Sequence, residues 1–115
     1  MADPAIDRAT FEALKETTGA EFALELMGTF LQEAPGMLDN LRRALAAQDA
    51  DKFRRAAHSL KSNSNTFGAL TLGAMARELE LTGVAKVIER GGQPLAALAQ
   101  EYSRVAAALT DLQHE

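Results

Sequence analysis

The feature that most constrains this chain is the uniform spacing of its apolar residues. Nearly every segment repeats them with the helical period, and no stretch alternates strictly as a half-buried strand would. Ile6-Asp7 opens a first helix. Asp7 suits its N-cap, Ile6 can pack on Phe11, and the helix stops near Thr17-Thr18-Gly19. A second helix follows from about Ala20. Phe22, Leu26, Phe30, Met37, Leu41 and Leu45 form one stripe on it, and Leu24, Met27, Leu31 and Leu38 a second. Pro35-Gly36 predicts a kink, a short break, or a true loop between two helices.

A third helix runs from about Ala50 to Phe67, with Gly68 at its C′ position. A fourth carries Leu72, Met75, Leu79 and Val87 before Gly91-Gly92 stops it. Pro94 suits the first turn of a last helix with Leu95, Leu98, Tyr102, Val105, Leu109 and Leu112 on one seam. Connections are short, so successive helices should be antiparallel. The expected architecture is all-α: an up-down antiparallel four-helix bundle with a short extra N-terminal helix, one domain over residues 1–115.

Composition narrows the chemistry. The absence of Cys removes disulfides, thiolate nucleophiles and Cys-based zinc sites. A net charge of −4 argues against generic nucleic-acid binding. No apolar run approaches the ~18 residues of a membrane span. Met1-Ala2-Asp3-Pro4 lacks the build of a signal peptide, so a cytoplasmic location is expected. The two His residues, His58 and His114, are far apart, so no metal site is expected; His114 reads as part of a frayed tail.

The third helix does not look like pure scaffold. At roughly 100° per residue, Phe53, Ala57, Leu60, Ser64 and Phe67 cluster within about 80° and form the core stripe. Asp51, Arg54, Arg55, His58, Lys61, Ser62 and Asn65 occupy a separate polar sector centred roughly 130° away. His58 therefore falls on a solvent-facing strip, with Lys61 three residues on and Arg54 four back. A neutral imidazole is a competent nucleophile near neutral pH. A phosphoryl group on it would gain charge-assisted hydrogen bonds from Lys61 and Arg54. On spacing alone, a solvated face that happens to hold a histidine is the more ordinary reading. A Ser62–His58 nucleophile pair lacks the orienting carboxylate and oxyanion hole of a triad.

Ala56-Ala57-His58-Ser59-Leu60-Lys61-Ser62, then Phe67-Gly68-Ala69 and Leu79-Glu80, resembles the histidine-containing phosphotransfer (HPt) domains of bacterial phosphorelays. The resemblance is densest over residues 53–80 and extends loosely to Phe30-Leu31-Gln32-Glu33-Ala34-Pro35 and Leu41. It implies four bundled helices, with His58 as phosphoacceptor and Lys61 stabilising the phosphoryl group. From the helix spacing, Arg54 would assist Lys61, with Arg55, Ser62 and Asn65 lining the site. Gly68 would be the helix-ending glycine. Glu80 matches the position where kinase-linked members orient the imidazole. The family usually has Gly where Ser62 stands. Serine is still small, so the departure bears on the fit of a partner more than on phosphorylation.

The resemblance implies a phosphorelay intermediate that takes a phosphoryl group from a receiver-domain aspartyl-phosphate and passes it to the Asp of a response regulator. Its partners would be receiver domains and a hybrid sensor histidine kinase, with no nucleic acid and no membrane. It would be a monomeric phosphocarrier without autokinase activity or cofactor of its own, the Mg²⁺ belonging to the partner receiver domain. Met27 and Leu31 offer a docking patch if they stay exposed; burial under the N-terminal helix is the competing expectation. Two alternatives remain: the N-terminal phosphotransfer domain of a chemotaxis-type kinase, and a non-catalytic helical adaptor. The dimerising domain of most histidine kinases fits less well, because Ser59 and Ser62 replace its acidic residue and Asn.

Overall fold

The computed structural model describes residues 5–113, so His114 and the first four residues lie outside it. Six helices follow in order: α1 (Arg8–Thr18), α2 (Ala20–Ala47), α3 (Ala50–Thr66), α4 (Leu70–Thr82), α5 (Val84–Glu89) and α6 (Gln93–Gln113). Contacts run from α2 to α3, α3 to α4, α4 to α6 and α6 back to α2, which closes a four-membered ring of helices. α1 packs on α2 and touches α3, and α5 bridges α4 and α6. The described residues contain no strand. This is the all-α, four-helix bundle with an N-terminal helix that the periodicity predicts.

Local chemistry explains the boundaries. The Asp7 carboxylate accepts from the backbone N–H of Thr10 and caps α1, while Ile6 and Phe11 are both buried. Asp49 caps α3 in the same way through the N–H of Lys52. α2 runs unbroken for 28 residues, so the break or loop expected at Pro35-Gly36 does not occur. Pro35 and Gly36 both lie on the exposed side of the helix, where a missing donor is least costly. A Cβ on Gly36 would meet nothing within 4 Å. Gly36→Ala should therefore stabilise the fold by about 0.5–1 kcal/mol. Urea unfolding should show a higher midpoint at unchanged slope.

Two expectations need correction. The fourth helix does not continue to Val87: Gly83, at φ +83°, closes α4 and donates its N–H to the Leu79 carbonyl at 3.0 Å. The chain leaves right-handed helix there and restarts as α5. On α2, the buried stripe is Ala23, Met27, Phe30, Ala34, Leu38, Leu41 and Ala44, while Phe22 and Leu24 are exposed. The stripe straddles the two expected ones because alanines complete it. Met27 has 0% exposure and Leu31 is half-buried against the core, so they do not form an open docking patch. Burial prevails because α2 packs against α1, α3 and α6, with Met27 in the core cluster and Leu31 packed against it.

The α3 core stripe is as expected: Phe53, Ala57, Leu60, Ser64 and Phe67 are all buried. Phe67 meets Phe30 at 5.4 Å between ring centroids, and Phe30 meets Tyr102 edge-on at 6.2 Å. These rings tie the end of α3 to α2 and α6 and fix the azimuth of α3. The opposite face of α3 is thereby turned outward.

Candidate functional site

His58 lies in the middle of α3, and its side chain is 58% exposed. Its Nδ1 is 3.1 Å from Oε1 of Glu80 on the adjoining helix α4. An ionised carboxylate only accepts, so Nδ1 carries the proton in this contact, and Nε2 of the neutral ring keeps its lone pair. The other oxygen of Glu80, Oε2, pairs with Lys61 Nζ at 3.1 Å. Glu80 therefore joins the imidazole and the ammonium across the α3–α4 seam. The Lys61 interaction, helped by the hydrogen bond from His58, holds the Glu80 carboxyl below the ordinary glutamate range against a smaller desolvation effect.

The sign of the linkage follows. A lowered folded-state pKa makes the contribution of this carboxylate fully present above the unfolded glutamate value. It is lost as the pH falls through the lowered folded value. The side-chain carboxyl of Glu80, followed by carbon NMR, should titrate below the exposed glutamates of the same protein. Lys61→Ala should move its midpoint back up.

One turn before His58 there is a second bridge. Asp51 Oδ1 accepts from Arg54 Nη2 at 2.7 Å, and Asp51 Oδ2 pairs with Arg55 Nη2 at 2.8 Å. The Arg54 hydrogen bond and the charges of both guanidiniums hold the Asp51 carboxyl below its usual range, despite some desolvation. An open recess is lined by Arg54, Arg55, His58, Ser59 and Glu80.

The structure thus brings His58, Lys61, Arg54, Arg55 and Glu80 together. It does not bring Asn65 to the imidazole: a Cβ on Gly73 of α4 would overlap its carboxamide, so Asn65 lies over that glycine. Ser62 is exposed one turn beyond His58 and is not among the recess-lining residues. Gly68, at φ +85°, ends α3 as expected, and its carbonyl accepts from the Asp7 N–H at 2.7 Å. Ser59 joins the recess unforeseen. The paired role of Asp51 was also missed, although its i,i+3 and i,i+4 spacing to two arginines carries that signal. No group of three or more His, Cys, Asp or Glu among the described residues could hold a metal ion.

An imidazole on the open side of a helical bundle, buttressed by a carboxylate and edged by basic groups, defines a module that meets its reaction partner at its surface. Comparison with known proteins agrees. Residues 25–115 match the family model of the Hpt domain. The chain is 32% identical over 78 residues to Sensor protein TorS of Escherichia coli K12, covering 68% of this chain and 8% of that protein. The crystal structure of histidine-containing phosphotransfer protein B (HptB) from Pseudomonas aeruginosa PAO1 superposes with a TM-score of 0.88 at 26% identity. That match covers 98% of this chain and 97% of the other.

The chain belongs to the Hpt domain family. That membership, with the likeness to a histidine-containing phosphotransfer protein, supports a phosphocarrier role in phosphorelays.

Proposed function

We propose that His58 accepts a phosphoryl group from the aspartyl-phosphate of a receiver domain and returns it to the Asp of a response regulator. The observation that carries this is the Glu80–His58 hydrogen bond, which leaves Nε2 as the outward nitrogen. In the step, the Nε2 lone pair attacks phosphorus. The P–O bond to the donor carboxyl breaks, and its electron pair stays with the carboxylate. The product ring keeps the Nδ1 proton and gains positive charge, which Glu80 opposes directly. Lys61, paired with the same carboxylate as His58, would exchange Glu80 for a phosphoryl oxygen. Mg²⁺ and the acidic pocket belong to the receiver.

The partners we assign are receiver domains and a hybrid sensor histidine kinase, with no nucleic acid or membrane. The similarity to part of a sensor protein supports the second. The domain acts as a monomer and has no autokinase activity. No described helix is long and apolar enough to cross a membrane.

The Glu80–His58 contact also favours a second reading, the phosphotransfer domain of a chemotaxis-type kinase, since members of that kind orient their imidazole this way. Donor choice separates the two. Incubation with a phosphorylated receiver domain should label the protein within minutes, whereas ATP alone should not. Labelling only by a chemotaxis-type catalytic domain with ATP would establish the second reading. No label from either donor would leave the helical adaptor.

A further inference from the structure

The sequence makes the neighbourhood of His58 look basic, with Arg54, Arg55 and Lys61 against a single Asp51. In the folded chain none of these cations is uncommitted. Lys61 is held by Glu80, and both arginines are held by the two oxygens of Asp51. Side chains on a helix lean toward its N-terminus. Asp51 lies one turn on that side of Arg54 and Arg55, so its bridge ties both guanidiniums to a carboxylate N-terminal to them on α3. Both arginines still border the recess and remain largely exposed, 61% and 75%, and among the described residues the Asp51 bridge is what fixes them there.

We propose that Asp51 is a positioning residue that parks Arg54 and Arg55 and so limits how strongly this domain retains a phosphoryl group on His58. The inference rests on the reading of His58 as phosphoacceptor. A carrier must release its group as readily as it takes it. With Asp51 in place, the phosphoryl oxygens compete with a carboxylate already holding both forks. Without it, Arg54, four residues before His58, can lean toward the phosphoryl group and donate to it. Asp51 acts through the arginines; it does not touch the reacting atoms.

The test is the equilibrium partition of phosphoryl label between a receiver domain and the full chain, compared in wild type and Asp51→Asn. A single exposed charge-assisted contact corresponds to a change of about two- to fivefold. The expected result is that Asp51→Asn shifts the partition toward phosphohistidine by that factor. The shift should shrink at high salt and be absent in Asp51→Glu, which keeps the carboxylate. In an Arg54→Gln/Arg55→Gln background, Asp51→Asn should change nothing. An unchanged or lowered phosphohistidine fraction in Asp51→Asn, with wild-type helicity by circular dichroism, would overturn the proposal. So would a shift that persists in full without the arginines, because the charge would then act directly on the phosphoryl group. Absence of label on wild type, or label that survives His58→Gln, would instead remove the underlying assignment of His58.

Discussion

In His58→Gln, phosphoryl label transferred from a phosphorylated receiver domain should fall to background, while the fold is unaffected. The loss is complete rather than graded because no neighbouring side chain can replace the imidazole. Ser59 and Ser62 are ordinary hydroxyls, and the Glu80 carboxylate that borders the recess with Ser59 is a weak base already paired with Lys61. Lys61 is committed to Glu80. The stability change should stay within about 0.5 kcal/mol, since the ring is mostly exposed and takes no part in the core. Glutamine can also keep an N–H facing the Glu80 carboxylate. Thermal unfolding and transfer should therefore separate cleanly. A variant that lost transfer and also melted early would show that His58 supports the bundle, contrary to its exposure.

Gly68→Ala should do the reverse: weaken the fold while leaving the chemistry of His58 in place. Gly68 adopts φ +85°, where an L side chain costs about 1–2 kcal/mol. A Cβ there would stand 2.7 Å from the backbone oxygen of Asp7 and 3.1 Å from Thr10 Cβ. Neither atom is the free end of a flexible chain. Asp7 is fixed as the cap of α1 and by its N–H bond to the Gly68 carbonyl. Adding an overpacking cost of about 1–3 kcal/mol, the total should be about 2–5 kcal/mol. For a chain of this size that lowers the melting temperature by about 8–20 °C. Below the transition, transfer should remain within about twofold of wild type, because α3 up to Thr66 is untouched. A drop of less than about 3 °C would mean that the α1 cap yields easily to the turn.

These two residues also mark how far the sequence could be read. Both stand in single-helix patterns, a histidine on the polar sector of α3 and a glycine after its last turn, and local spacing suffices for such features. The core stripe of α3 was legible for the same reason, since Phe53, Leu60 and Phe67 are large and leave no doubt about the buried side. On α2 the reading failed where Ala23, Ala34 and Ala44 carry the stripe, because alanine is equally at home on either side of a helix. Gly83 is not legible as a stop, because a lone glycine within an apolar pattern does not announce whether the helix tolerates it or ends.

The electrostatics of the site were the least legible part. Composition counts Arg54, Arg55 and Lys61 as surplus positive charge, yet each has a carboxylate partner in the fold. The Asp51 bridge lies within one helix and was in principle readable from i,i+3 and i,i+4 spacing. The contact of Glu80 with both His58 and Lys61 crosses from α3 to α4. It depends on the relative rotation of two helices, which the buried faces of both determine and no local pattern reports. Family resemblance pointed to Glu80 as an orienting carboxylate, but not to its simultaneous hold on Lys61.

The most direct measurement is long-range nitrogen–proton and nitrogen–phosphorus NMR on the ¹⁵N-labelled protein before and after phosphorylation by a receiver domain. Before the reaction, Nδ1 of His58 should be the protonated nitrogen of the neutral ring. Afterwards phosphorus should couple to Nε2, and the Nδ1 proton should remain. Phosphorus coupled to Nδ1, or an acid-stable phosphoester on a serine, would contradict the assignment of Nε2 of His58 as the atom that carries the phosphoryl group.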